Sequence, residues 1–380
     1  MSASIIGIGT AVPDTRLTQE DVRDLFAAQP SLDRVTRRII AAAFDHSAIE
    51  TRHTVLPELV AGGSAFVDAD TRRIGMPATG VRNAVYAREA PGLFAAAARD
   101  ALHRAGVRAD EVTHVVTASC TGFFAPGPEF RLVRDLGLTP TVSREHLGFL
   151  GCAAALPALR SAARICATDP SALVLVVCAE ICTIHLRSSA DPDQIVSSAV
   201  FADGAAAAIV TASPSAGIPH LQLDRFATAI TDDGESAMGW TIGDHGFEMT
   251  LTAEVPRIVG REVKSALRPL LGEGPVDLWA VHPGGRSILD RVEAACELEP
   301  EALRHSRDVL RAYGNMSSAT ILFILQRMLA DPERTDGERM LALAFAPGLT
   351  VESTLLTVRT SATATAGHPA RESATSVPSR

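Results

Sequence analysis

The chain lacks an excess of basic residues. Its 35 Lys and Arg stand against 44 Asp and Glu, a net charge of −9 over 380 residues. A general nucleic-acid or membrane-surface binder presents a cationic face, so neither role is expected; a local basic patch for a phosphorylated ligand stays open. No apolar run approaches the ~20 residues that cross a bilayer. The opening stretch MSASIIGIGTAVPD has no cationic segment ahead of a long apolar one, so no signal peptide is read there and a cytoplasmic location is expected. The six cysteines lie mostly in apolar strings without a paired CxxC framework, and the lone C-x3-C of Cys178 and Cys182 lacks further ligands at zinc spacing. A reduced protein without a structural metal is expected. No glycine-rich dinucleotide motif is evident, and no metal, flavin or nicotinamide cofactor is expected.

What is present is enough apolar material for a large core: 47% hydrophobic and 21% charged residues. SIIGIGTAVP reads as a first strand and its turn. PGLFAAAARDALHRAGV (91–107) places Leu93, Phe94, Ala97, Ala98 and Leu102 on one helical face. THVVTASC (113–120), ALVLVVCAE (172–180) and GAAAAIVTA (204–212) read as buried strands, and the Ala-rich run after Cys152 as a helix to about Thr168. The second half repeats the theme, with helices over 253–271, 286–298 and 316–329, a strand in VDLWAVHPGG (276–285), and last strands in RMLALAFAPG and LTVESTLLTV. Strands alternating with helices predict α/β layers with buried, largely parallel strands. Two such halves predict an internal duplication: an N-terminal half over 1–225, a C-terminal half over 226–359, and a Ser/Thr/Ala/Pro-rich disordered tail over 360–380.

Three polar residues stand at element ends. Cys152 in GFLGCAAALPA begins an apolar helix. A buried thiol there is either plain packing or a nucleophile whose pKa the helix N-terminus lowers. His282 in VHPGGRSIL follows a buried strand and precedes two glycines that let a ligand approach. Asn315 in AYGNMSSAT precedes an apolar helix, where Asn is also a common cap. Spacing alone does not bring the three together.

Taken in series, CTGFFAPG, GCAAA, VFADGAAAAIV, HPGGRSILDRVE, VLRAYGNMSSATILFIL and AFAPGLTVE resemble the type III polyketide synthases, the chalcone-synthase-like members of the thiolase superfamily, over residues 1–358. The resemblance implies a five-layered αβαβα thiolase-like fold and a homodimer. It implies Cys152 as the acyl-carrying nucleophile with His282 and Asn315 as partners, an acyl-CoA starter, and malonyl-CoA or methylmalonyl-CoA as extender. By it, Phe201 gates the pocket, and Phe345, Pro347 and Gly348 shape its floor, with Ser317 beside it. Cys120, Thr121, His185, Trp240 and Met249 resemble pocket positions of bacterial alkylpyrone and alkylresorcinol synthases. Arg52, His46 and Ser287 are the implied CoA-facing residues, although Glu50 stands where the family commonly has lysine, which leaves a carrier protein as another source of the starter. Ala202 and Ala346 replace usual glycines, and Pro157 falls early in the nucleophile helix. The alternatives are a ketoacyl-ACP synthase III-like condensing enzyme, whose HQAN- and GNTSA-like motifs fit less well than HPGG and YGNMSSA, a non-catalytic partner subunit of the same fold, which would commonly have lost the nucleophile, and a cysteine hydrolase, which the apolar surroundings of Cys152 disfavour.

Overall fold

The structure, a computed structural model, describes residues 2–360 apart from Ala216 and Glu273. The tail expected over 360–380 lies outside the described residues beyond Thr360. The N-terminal half runs β1 (Ser4–Ala11), β2 (Thr15–Thr18), α1 (Gln19–Ala27), α2 (Arg34–Asp45), β3 (Thr51–Thr54), α3 (Thr79–Ala105), β4 (His114–Ser119), α4 (Pro128–Leu136), β5 (Ser143–Gly148), α5 (Ala155–Thr168), β6 (Leu173–Ile181), α6 (Pro192–Val200) and β7 (Asp203–Thr211). The C-terminal half runs β8 (His220–Ile230), β9 (Met238–Gly243), β10 (Gly246–Leu251), α7 (Val255–Ala266), α8 (Arg268–Leu271), β11 (Leu278–Val281), α9 (Arg286–Cys296), α10 (Arg304–Tyr313), α11 (Thr320–Leu329), β12 (Arg339–Ala346) and β13 (Thr350–Arg359).

Strand order carries the duplication. One half reads β1-β7-β6-β4-β5 and the other β8-β13-β12-β11, and the first strands of the two halves pair antiparallel to make one nine-stranded sheet. The division between halves therefore falls ahead of β8; a boundary after residue 225 would cut that strand. Among the described strands of this sheet, β4·β5, β4·β6 and β11·β12 are parallel and the other pairs antiparallel. This corrects the expectation of largely parallel strands: the long apolar runs report burial on both faces, not direction.

Alternation along the strands sorts the side chains into layers. Leu341, Leu343 and Phe345 of β12 pack outward with α7 and α9, while Met340, Ala342 and Ala344 face a central layer. Likewise Val177, Ala179, Ala205 and Ala207 pack toward α1–α3, and Val176, Cys178, Ala206 and Ala208 toward the centre. That central layer holds α5 and α11, whose side chains are buried between the sheets of the two halves. The result is the five-layered αβαβα, thiolase-like fold. Alanine on the inward strand positions leaves room for two helices side by side. Backbone approach is equally tight elsewhere: a Cβ on Gly9 would lie 2.1 Å from the Ala101 nitrogen of α3.

Some elements differ from the sequence reading in length. Helix α3 begins at Thr79, well before the expected residue 91, and contains Pro91. Proline marks a helix start by preference, and the preceding turns are too polar to show a periodic apolar face. Pro157 falls in the first turn of α5, where its missing N–H costs nothing. Ala202 has no positive φ, and Ala346 sits in extended backbone (φ −120°, ψ 165°), so neither position needs glycine. No helix among the described residues is long and apolar enough to cross a membrane.

Candidate active site

The site forms where the C-terminal ends of strands from both halves meet the central helices. Cys152 stands in the single helical turn Gly151–Ala153 that leads into α5. Gly151 is at φ +62°, and a Cβ there would lie 2.4 Å from the Cδ of Pro347, so glycine lets this turn close against the β12–β13 loop. Cys152 is part-exposed, whereas Cys120 and Cys182, the other cysteines at this cavity, are buried.

Asn315 reaches Cys152 from the other half. Its backbone is fixed on both sides of Phe201: its N–H donates to the Val200 carbonyl (2.9 Å), and its carbonyl accepts from the Ala202 N–H (2.9 Å). Its Oδ1 accepts from the Ser317 N–H at 2.8 Å. That assigns the other amide atom as Nδ2, 3.9 Å from the Cys152 sulfur and 3.4 Å from the Gly284 carbonyl, with Oδ1 itself 4.0 Å from the sulfur. Asn315 caps neither helix that follows it, since the turn Ser317–Ala319 and α11 start without a side-chain cap; its oxygen instead closes a local turn onto the Ser317 N–H.

His282 follows β11 and is buried, its N–H donating to the Leu343 carbonyl at 2.8 Å. It lies two residues from Gly284, the carbonyl that Asn315 also meets. Neither ring nitrogen has a hydrogen-bond partner among the described residues. Buried polar atoms rarely go unpaired without reason. Burial lowers the His282 pKa to about 3. Burial also pushes the Cys152 thiol up to about 11, against the smaller downward pull of Ser317 and Asn315. Of the two forces on this thiol, desolvation in the apolar wall is the larger. The resting site holds a neutral thiol and a neutral imidazole.

Phe201, Cys120, Thr121, His185, Trp240, Met249, Ser317 and Pro347 all line the cavity beside Cys152. Phe345 does not; it packs in the outer core of the C-terminal half. Gly348 is not on the cavity wall either and supplies the positive-φ turn (+72°) between β12 and β13. Trp240 and Met249 are direct cross-strand partners in the β9–β10 hairpin. The Trp240 indole donates to the Cys120 carbonyl at 2.7 Å. His185 clamps the hairpin: its Nε2 meets the Thr121 carbonyl (2.7 Å), its Nδ1 accepts from the Phe247 N–H (3.0 Å), and its ring stacks on Phe247 at 4.4 Å. Burial pushes its pKa down to about 3, so it is a neutral clamp with both nitrogens used. The cavity is narrow, about 40 Å³.

A separate groove of about 480 Å³ runs between α2, α6 and the start of α9, and is lined by His46, Ser287, Gly284 and Gly285. Met238 lies on both groove and cavity, so the two adjoin there. Arg52 is not in the groove. It is 1% exposed, and its Nη1 donates to the carbonyls of Ser198 (2.8 Å) and Phe201 (2.7 Å). The expectation that it faces a phosphate is therefore corrected: alternation in β3 turns it inward, beneath the Phe201–Asn315 junction, where Gly314 packs on its stem.

Sequence reasoning missed Glu180. This fully buried carboxylate ends up behind the cavity, accepting from the Cys120 N–H (3.0 Å) and the hydroxyls of Thr121 (2.8 Å), Ser119 (3.2 Å) and Ser318 (2.5 Å). Burial raises its pKa, and these donors oppose the rise. The signal was available: a lone acid inside the apolar string ALVLVVCAEIC has to find donors.

Residues 1–214 match the model of the chalcone and stilbene synthase N-terminal domain, and residues 222–360 match that of the C-terminal domain. Probable polyketide synthase 1 of Dictyostelium discoideum is 31% identical over 366 residues, covering 93% of this chain but 11% of the relative's length. Among solved structures, PKS-I from the brown alga Ectocarpus siliculosus superposes with a TM-score of 0.86 at 27% identity, covering 94% of this chain and 98% of that one. The C-terminal type III polyketide synthase domain of Steely1, a type I/III hybrid from Dictyostelium, does so with 0.86 at 28% identity, covering 94% and 99%.

Proposed function

Since the chain belongs to the chalcone and stilbene synthase family, the type III polyketide synthases, which are acyltransferases that perform decarboxylative condensation, we propose that Cys152 carries the growing chain while His282 and Asn315 serve both chemical steps. The observation that carries this reading is the position of Asn315, whose amide comes within 4.0 Å of the Cys152 sulfur from the other half of the chain while its oxygen accepts from the Ser317 N–H.

In loading, the Cys152 proton passes to an unpartnered nitrogen of His282. The thiolate attacks the starter thioester, a new C–S bond forms, and the carrier thiol leaves and takes up the proton. In extension, malonyl or methylmalonyl thioester loses CO2. The electrons of the broken C–C bond move onto the thioester oxygen as an enolate, stabilised by N–H groups of Asn315 and His282. The enolate carbon then attacks the acyl-Cys152 ester and expels the thiolate. Decarboxylation itself forms the carbanion, so no separate base is required. A neutral Asn suits the site because a carboxylate would repel the extender.

The cavity at Cys120, Trp240 and Met249 supports an acyl starter lying toward the β9–β10 hairpin and closure to a pyrone or resorcinol ring. His46 and Ser287 line the groove through which CoA would bring it. A homodimer fits two surface features: the exposed edge strand β5, and the exposed Phe123 and Phe149, whose rings flank Phe247.

The test is a mass-spectrometric product screen with malonyl-CoA or methylmalonyl-CoA and acyl-CoA starters from acetyl to palmitoyl, run beside Cys152→Ala. Products longer by two-carbon or methyl-branched units, absent from the variant, are expected. Equal product from the variant, or none from either protein, would overturn the reading.

A further inference from the structure

Helix α2 presents an unusual outward face. Its inner positions Thr36, Ile40 and Phe44 are buried, as packing requires. Outward, Val35 is 64% exposed and Ile39 39% exposed. With Ala42 and His46 they form one stripe at spacings of four, three and four residues, and His46 lies on the groove. Arg34 and Arg38 flank this stripe. Neither has an ion-pair or hydrogen-bond partner among the described residues, because the two acids of the helix region are engaged: Asp33 caps the Thr36 N–H, and Asp45 pairs with Arg23 at 2.8 Å.

The groove itself holds little free positive charge. Its cation Arg286 stands 3.5 Å from Asp290, and Asp193 also lines it. The free positive charge lies outside, on α2. At 1.5 Å rise per residue, Arg38 is ~12 Å and Arg34 ~18 Å along the helix from His46. That is where the body of a folded partner would rest if only an extended arm entered the groove. Exposed apolar residues ringed by unpaired cations match an acidic helix with an apolar stripe.

We propose that the outward face of α2 docks an acidic acyl carrier protein, whose phosphopantetheine arm passes through the groove and delivers the starter to Cys152. The proposal rests on the acyl-enzyme reading above. In the transfer, the Cys152 sulfur bonds to the acyl carbonyl carbon, the bond to the pantetheine sulfur breaks, and the arm leaves as its thiol with the proton that Cys152 gave up.

The test compares dodecanoyl-CoA with dodecanoyl-loaded holo acyl carrier protein of the bacterial fatty-acid type. Acyl transfer to Cys152 is followed by intact mass in the wild type, in Arg34→Glu/Arg38→Glu and in Val35→Asp. These exposed substitutions leave the fold in place, which a thermal melt checks. The expected result is transfer from the carrier in the wild type that falls tenfold or more in both variants, with transfer from dodecanoyl-CoA changed less than twofold. Added salt slows the carrier route as it screens the arginines. Transfer from dodecanoyl-CoA with none from the carrier would overturn the proposal. So would variants that slow both donors equally, or that change the oligomeric state, which would make this face a contact between copies of the chain. Failure of both donors to load wild-type Cys152 would instead overturn the acyl-enzyme reading.

Discussion

Burial pushes the Cys152 thiol up to about 11 and the His282 imidazole down to about 3, and on the proposed reading the two exchange a single proton. Between pH about 3 and about 11 the pair keeps the same number of protons. The fraction with the proton moved from sulfur to imidazole is then independent of pH. Alkylation of Cys152 by iodoacetamide is therefore expected to be nearly flat from pH 6 to 8. In His282→Gln the thiolate forms only by losing its proton to solvent, and the rate should climb about tenfold per pH unit toward the thiol pKa. A wild-type profile as steep as the variant's would show that His282 does not take the proton. Asn315→Asp tests the second role. With a carboxylate beside the thiol, starter loading persists while CO2 release from malonyl-CoA falls by about 10²–10³-fold, the usual cost of a lost oxyanion donor. Arg52 acts one step further back, through the Phe201 carbonyl. Arg52→Met should lower kcat by misplacing Asn315, with KM for malonyl-CoA changed little; a rise in KM alone would restore the phosphate-binding role. The sequence made the three candidate residues legible through their positions at element ends. It hid Arg52, because whether a strand residue faces in or out depends on register, and four residues of β3 are too few to show it.

At the scale of elements, the β9–β10 hairpin decides how much room the site has. Trp240 and Met249 face each other across it, and His185 locks it to the body through Thr121 and Phe247. In a cavity of about 40 Å³ these hairpin side chains set the room for an acyl chain. Trp240→Gly should shift the preferred starter by several carbons toward longer chains, read as relative kcat/KM across acyl-CoA lengths. An unchanged ranking would place the acyl chain elsewhere. Tryptophan and its neighbours could be singled out from sequence, but the hairpin could not. Its strands do alternate, with Phe247 buried, Met249 and Leu251 half-buried and Glu248 and Thr250 exposed, but at six residues each they are short, and the clamp comes from His185, about sixty residues away. The core strands and central helices were legible because two-sided burial writes continuous apolar runs. Strand direction was not, since the same runs serve parallel and antiparallel neighbours.

For the whole molecule, duplication is what makes the site. Cys152 comes from one half and Asn315 from the other, 163 residues apart, and they meet because each half places a central helix beside the joined sheet. The two halves were legible as a repeated strand–helix pattern, but their meeting was not, because no local pattern specifies which ends converge. The exposed β5 edge and its flanking phenylalanines lead to a further expectation. Sedimentation should give a dimer, and Phe123→Asp/Phe149→Asp should shift it toward monomer at micromolar concentration; an unaffected dimer would place the interface elsewhere.

The account as a whole depends on which cysteine carries the acyl group. The most direct measurement is peptide mapping by mass spectrometry after incubation with dodecanoyl-CoA and no extender. The account predicts a thioester adduct on the peptide bearing Cys152, absent in Cys152→Ala and released on adding malonyl-CoA as extended product. An adduct on Cys120 or Cys182, or one on Cys152 that malonyl-CoA does not discharge, would contradict it.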